Sequence, residues 1–154
     1  MLPLRIINEQ EEWKMLKRIL VAVDGSDHAH KALEQAVVLA ESLKQSASLI
    51  IVHVNPSISL NEPALGVDLD ARIAEEGQHI IQPVNELLAA RSVHYETLLI
   101  AGDPVNEICR VAKDRDCDLI VMGTAGKSML AEIVVGSVSH GVLKHAGCPV
   151  MTVK

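Results

Sequence analysis

The sequence predicts a single α/β domain built on a parallel sheet with helices on both of its faces. Three observations predict it. Short aliphatic runs alternate with segments of helical periodicity, and the packing solution for that order is a parallel sheet wound by crossover helices. A length of 154 residues suits one core rather than two. With no Phe, one Trp and one Tyr, that core must be built from Val, Ile, Leu and Ala, which suit buried parallel strands.

Residues 1 to 16 show no clear period until Trp13, Met15 and Leu16, which fit either a packed lead-in or a partner surface. Ile19 to Val23 is a continuous aliphatic run ending in Asp24, Gly25, Ser26 and Asp27, as in a buried strand followed by a turn and a helix cap. Ala29, Ala32, Leu33, Ala36, Val37, Ala40 and Leu43 then recur at spacings of three and four, giving a helix with one apolar face. Ser48 to Val54 is the second strand. Pro56, Pro63 and Gly66 interrupt any regular element after it and leave a loop or lid. Val67 to Ala90 reads as a helix with Ile73, Ile80, Ile81, Val84, Leu87 and Leu88 apolar, in which Gly77 and Pro83 imply a bend or a late start. Val93 to Ala101 alternates before turning apolar, as expected of a strand nearer a sheet edge. Gly102 and Asp103 end it, and Pro104 opens a third helix carrying Val105, Ile108, Cys109 and Ala112. Asp118 to Met122 is the fourth strand, Ser137 opens a helix running to about His145, and Pro149 to Val153 is a last short strand.

Composition excludes several function classes. A formal net charge of −6 opposes general binding to nucleic acid or anionic membranes, and the scarcity of aromatics removes a base-stacking platform. No apolar run reaches the ~18 residues needed to span a membrane, and the N-terminal MLPLRIINEQEEWK carries acidic residues rather than a signal-peptide pattern. A soluble cytoplasmic protein with no nucleic-acid or membrane partner is expected. Cys109, Cys117 and Cys148 form no CxxC pair and lie within or beside apolar segments, as buried thiols of a reducing compartment do.

The chemistry concentrates in Gly123 to Ser137, GTAGKSMLAEIVVGS. Gly123, Gly126 and Gly136 can adopt positive φ and let backbone N–H groups approach a ligand with no Cβ in the way. A helix beginning at Ser137 offers unpaired N–H groups and the positive end of its dipole, so the stretch reads as a phosphate cradle. It is not a P-loop, because that motif needs a glycine five positions before Gly126 and position 121 is Val; nor does the DGSDHA after the first strand form a dinucleotide G-x-G-x-x-G. In parallel sheets ligands bind beyond the carboxyl ends of the strands, here Asp24, Val54, Gly102 and Met122. Lys127 and Ser128 are either phosphate contacts or solvated surface residues. Asp24 is a site residue or only a helix cap, and Asp27 and Asp103 fit either a divalent ion or caps. His28 and His30 flank Ala29 and cannot share a helical face, while His140 and His145 are five apart, a poor ligand spacing. His53, near a strand end, either lines the site or is a satisfied core histidine. No Ser-His-Asp or Cys-His arrangement is legible, and no general base can be named.

With its spacing of Gly123, Gly126, Gly136 and Ser137, the stretch resembles the signature of the ATP-binding branch of the universal stress protein family. ILVAVDGSDHA, IVHV, AGDPVNEI, DLIVMG and CPVMTV also look like family segments, in order. The resemblance covers residues 17–154 and leaves 1–16 as an N-terminal extension. It implies a Rossmann-like open five-stranded sheet of order 3-2-1-4-5 that binds ATP at the switch point between the first and fourth strands. Asp24 would then hold the nucleoside end, the Val54 backbone would meet the adenine edge, and Met122 and Gly123 would flank adenine and ribose. Gly126, Gly136, Ser137 and Val138 would contact phosphates, with Lys127 paired to them. Ala22 sits in the same site, where some relatives have Pro. The function implied is a stress-response or signalling module in which ATP, with Mg2+ or another divalent ion, orders the loop and changes a surface for an unknown protein partner. Two alternatives stand beside it: a slow ATPase or phosphotransferase using Asp24 or Asp103 near the metal, and a nucleotide-independent interaction protein. The terminal CPVMTV strand resembles the edge that family members pair across a two-fold axis, so a homodimer is expected.

Overall fold

The computed structural model describes residues 16–43, 47–56, 69–125 and 136–154. Strands and helices alternate as β1 (Arg18–Ala22), α1 (Asp27–Ser42), β2 (Ser48–Asn55), α2 (Leu69–Ala89), β3 (Tyr95–Ala101), α3 (Pro104–Asp114), β4 (Leu119–Gly123), α4 (Ser137–His145) and β5 (Val150–Val153). The strands form one sheet in the order β3-β2-β1-β4-β5, and every pairing is parallel.

Alternation along the central strands sends side chains to two cores. Ile19, Val21, Leu49, Ile51 and Val121 pack with the apolar faces of α1 and α2. Leu20, Ala22, Ile50, Val52, Ile120 and Met122 pack with Ile108, Val111 and Ala112 of α3 and Val142 of α4 on the other side. Because each face is covered by helices, β1, β2 and β4 read as continuous aliphatic runs. β3 lies at one edge, as its partial alternation predicts, and its side chains are mostly half-buried.

Some boundaries differ from the sequence reading. β1 begins at Arg18 and ends at Ala22, although Val23 N–H still donates to the Val52 carbonyl at 2.9 Å. β3 starts at Tyr95 rather than Val93, and β4 continues through Gly123 because β5 pairs with it there. α2 runs through Gly77 and Pro83 without a break. The backbone bond that Pro83 cannot donate is outweighed by burial of Ile81, Val84 and Leu88 on the same helix. The expected loop after β2, from position 57 to 66, lies outside the described residues, as do Gly126, Lys127 and Ser128 and the stretch 1–15.

The strand order places the site. From β1 the chain winds outward through β2 to β3, then returns to the far side of β1 for β4 and β5. The turns leaving β1 and β4 therefore diverge, which opens a crevice beyond their carboxyl ends.

Candidate functional site

At the carboxyl end of β1, Asp24 accepts a hydrogen bond from Ser26 N–H on its Oδ1 at 2.9 Å, which fixes a tight turn. Ser26, rather than Asp24, is the N-cap of α1, its hydroxyl accepting from Ala29 N–H at 3.2 Å. Among the described residues the second carboxylate oxygen of Asp24 makes no hydrogen bond. Asp103 caps α3 by accepting from Asn106 N–H at 2.9 Å, so it acts there as a cap.

The two ends of the glycine stretch are joined. Gly136 N–H donates to the Thr124 carbonyl at 2.7 Å, and Ser139 Oγ donates to the same carbonyl at 2.8 Å. Gly136 is the N-cap of α4 with φ −62°, ψ 158° and no side-chain acceptor, so Ser137 is the first helical residue and not the cap. The first-turn amides of α4 therefore have no acceptor within their own helix or from a cap. Neither Gly123 nor Gly136 uses positive φ; among the described glycines Gly25 and Gly102 do. What these two positions require is close approach. A Cβ on Gly123 would lie 2.8 Å from the His28 carbonyl carbon and 2.9 Å from Ala29 N, and one on Gly136 would lie 3.3 Å from the Thr124 carbonyl oxygen. Gly123 thus lets the first turn of α1 close onto β4, a role in packing that the phosphate reading did not anticipate.

A cleft of about 360 Å³ opens where β1, β2 and β4 end. Ala22, Asp24, Val54, Met122, Gly123, Gly136, Ser137 and Val138 all line it, so every described member of the sequence-derived set falls in one cavity. Its apolar lining comes from Ala22, Val52, Val54, Ile80, Ile108 and Met122. Its wall toward α4 presents that helix's first turn.

The structure also adds residues that no motif marked. Thr124 is buried, and its Oγ1 lies 3.1 Å from His28 Nδ1. His53 is 5% exposed, with Nδ1 2.8 Å from the Val23 carbonyl oxygen and Nε2 2.8 Å from Asn55 Oδ1. Since a carbonyl only accepts, Nδ1 is the donor to Val23, and Nε2 then accepts from the side-chain amide of Asn55, turned so that its nitrogen faces the ring. His53 is both satisfied and part of the lining, which unites the two readings of it. Glu76 and Ile80 reach the cleft from α2. Among the described residues no group of three His, Cys, Asp or Glu side chains can hold a metal ion, and no helix is long and apolar enough to cross a membrane.

The model of the universal stress protein family matches residues 15–154. This chain belongs to that family. A universal stress protein of Bacillus subtilis, YxiE, is 37% identical over 150 residues, covering 91% of this chain and 100% of that one. The structure of universal stress protein UspA from Lactobacillus plantarum superposes with a TM-score of 0.79 at 30% identity, over 90% of this chain and 98% of that one. A family protein from Arabidopsis thaliana, At3g01520, solved with AMP bound, superposes with a TM-score of 0.67 at 25% identity, over 90% of this chain and 91% of its own. The five-stranded Rossmann-like sheet of this universal stress protein is the fold these neighbours share.

Proposed function

We propose that this universal stress protein binds ATP in the cleft beyond β1, β2 and β4, and that binding alters a surface read by a protein partner in the cytoplasm. The observation that carries the reading is the convergence of the described signature residues on one cavity whose lining joins apolar side chains to the first turn of α4. Apolar lining side chains suit a base, and the N-terminus of α4, with no side-chain cap, suits phosphate through its amides and dipole. The volume lies at the lower end of the ~300–1,000 Å³ usual for small-molecule sites. The AMP in the Arabidopsis relative supports a nucleotide as the ligand class. In this reading the open oxygen of Asp24 receives the nucleoside end, the Val54 backbone meets the base edge, and Met122 and Gly123 flank it. Gly136, Ser137 and Val138, with Gly126 and Lys127 beyond the described residues, take the phosphates. A Mg2+ or other divalent ion bound with the nucleotide would lower the charge of the phosphates. The half-buried edge strand β5 pairs with a second copy.

Titration calorimetry of the full chain with Mg-ATP tests this, with AMP and cyclic AMP as comparisons and sedimentation for the dimer. Saturable ATP binding is expected, weakened more than tenfold, about 1.4 kcal/mol or more, in Gly136→Val. No heat with Mg-ATP would leave a nucleotide-independent interaction protein. Multiple turnovers lost in an Asp24→Ala variant that still binds ATP would establish an enzyme instead.

A further inference from the structure

We propose that Cys117 and Cys148 are a paired oxidation site that closes into an internal disulfide when the protein meets a peroxide. The two cysteines stand at the entries of neighbouring strands. Ile120 lies opposite Val150 in the β4–β5 ladder, and Ile120 N–H donates to the Pro149 carbonyl at 3.0 Å. Continuing that register back two residues puts Cys148 beside Asp118, the neighbour of Cys117. Cys117 has left the regular strand, its N–H donating to the Ala112 carbonyl at 2.8 Å, and its thiol lies near enough to Cys148 for that group's charge to reach it. A disulfide needs Cα atoms about 4.4–6.8 Å apart, the spacing the pair must reach on closing. Both side chains turn to the same core, the one under α3 and α4.

Their environments divide the work. Cys148 is partly exposed and meets the oxidant, whereas Cys117 is 5% exposed behind it. Burial, and then the nearby charge of Cys148, push the Cys117 thiol up to about 11. Cys148 thiolate attacks one oxygen of hydrogen peroxide, the O–O bond breaks, and sulfenic acid and water form. Cys117 then attacks that sulfur after losing its proton, the S–S bond forms, and the hydroxyl departs as water. Two thiols give up two electrons and two hydrogens, and one peroxide becomes two waters. Because Cys117 must ionise for closure, the closing step accelerates as pH rises beyond the ordinary thiol value of 9.0 and toward 11.

The test treats the reduced full chain with hydrogen peroxide, quenches by alkylation under denaturing conditions, and maps peptides by mass spectrometry. The expected product is lighter by two hydrogens, retains one alkylatable thiol, and joins Cys117 to Cys148. Cys109→Ser should form the same Cys117–Cys148 bridge and retain no alkylatable thiol. Cys117→Ala, checked for fold by circular dichroism, should stop at a Cys148 sulfenic acid that dimedone traps. A disulfide containing Cys109, or a cross-linked dimer on a non-reducing gel, would overturn the proposal. So would three alkylatable thiols at a peroxide dose that has already oxidised methionine in the same sample. The pair lies at the amino ends of the strands, away from the cleft, so nucleotide affinity is expected to be the same before and after oxidation.

Discussion

Gly123 and Gly136 belong to one signature yet do different work, and substitution separates them. A Cβ at Gly123 meets backbone atoms of His28 and Ala29 that cannot swing aside. Gly123→Ala should therefore lower stability by about 1–3 kcal/mol, measured by urea unfolding without nucleotide. Gly136→Val should act mainly on ATP affinity. Both glycines were visible in the sequence, but only the fold shows which neighbour each one admits. Ser139 was not visible: its hydroxyl meets the carbonyl of Thr124, 15 residues away, and no spacing marks it, while Thr124 lies within the glycine stretch without being singled out by it. Cys117 supplies a pH dependence whose sign follows from its surroundings. Its folded pKa is raised from the ordinary 9.0 to about 11, so the neutral thiol is favoured by folding. That contribution is complete below pH 9 and is lost as pH climbs through 11, whereas Cys117→Ala should lose less stability across the same window. Denaturant melts at stepped pH check it.

Among the elements, α4 shows how local preference yields to packing. Gly141 sits inside this helix, where glycine costs about 1 kcal/mol relative to alanine. A Cβ there would come within 2.6 Å of Val105 Cγ2 on α3. Gly141→Ala is expected to destabilise the protein by about 1 kcal/mol or more despite its better helix propensity, and adding Val105→Ala should recover part of the loss in a double-mutant cycle. α2 makes the same point from the other side. Its Pro83 argues for a bend when read alone, yet the helix continues because Ile81, Val84 and Leu88 are held in the core. α1 was legible almost residue by residue, since Ser26 caps it and Ala29, Ala32, Leu33, Ala36, Val37 and Ala40 form its buried face.

For the whole molecule, the proposed ligand bridges elements that lie far apart in the chain: β1, β2, β4 and the start of α4. Binding to the folded state alone should stabilise all of them together. Mg-ATP at a hundredfold excess over Kd would add about 2.7 kcal/mol and raise Tm by roughly 5–10 °C, read by thermal denaturation with and without nucleotide. The same titration on Gly136→Val should give a much smaller shift. The sheet has edges at β3 and β5, and β5, four residues long and half-buried along its length, is the edge on which the proposed dimer closes.

By itself the sequence determined the alternation of strands and helices, the aliphatic character of both cores and the spacing of the glycine signature. Those properties are written in periodicity and composition, which act over neighbouring residues. Strand order was available only through the family resemblance, because alternation requires parallel strands but does not say on which side of β1 the fourth one returns. The tertiary structure decided the rest. It brought Asp24, Val54, Met122 and Gly136 around one cleft, assigned Gly123 to a helix contact, and put Cys117 and Cys148 in the same core. Each of these depends on the long-range register of parallel strands, which no local preference specifies.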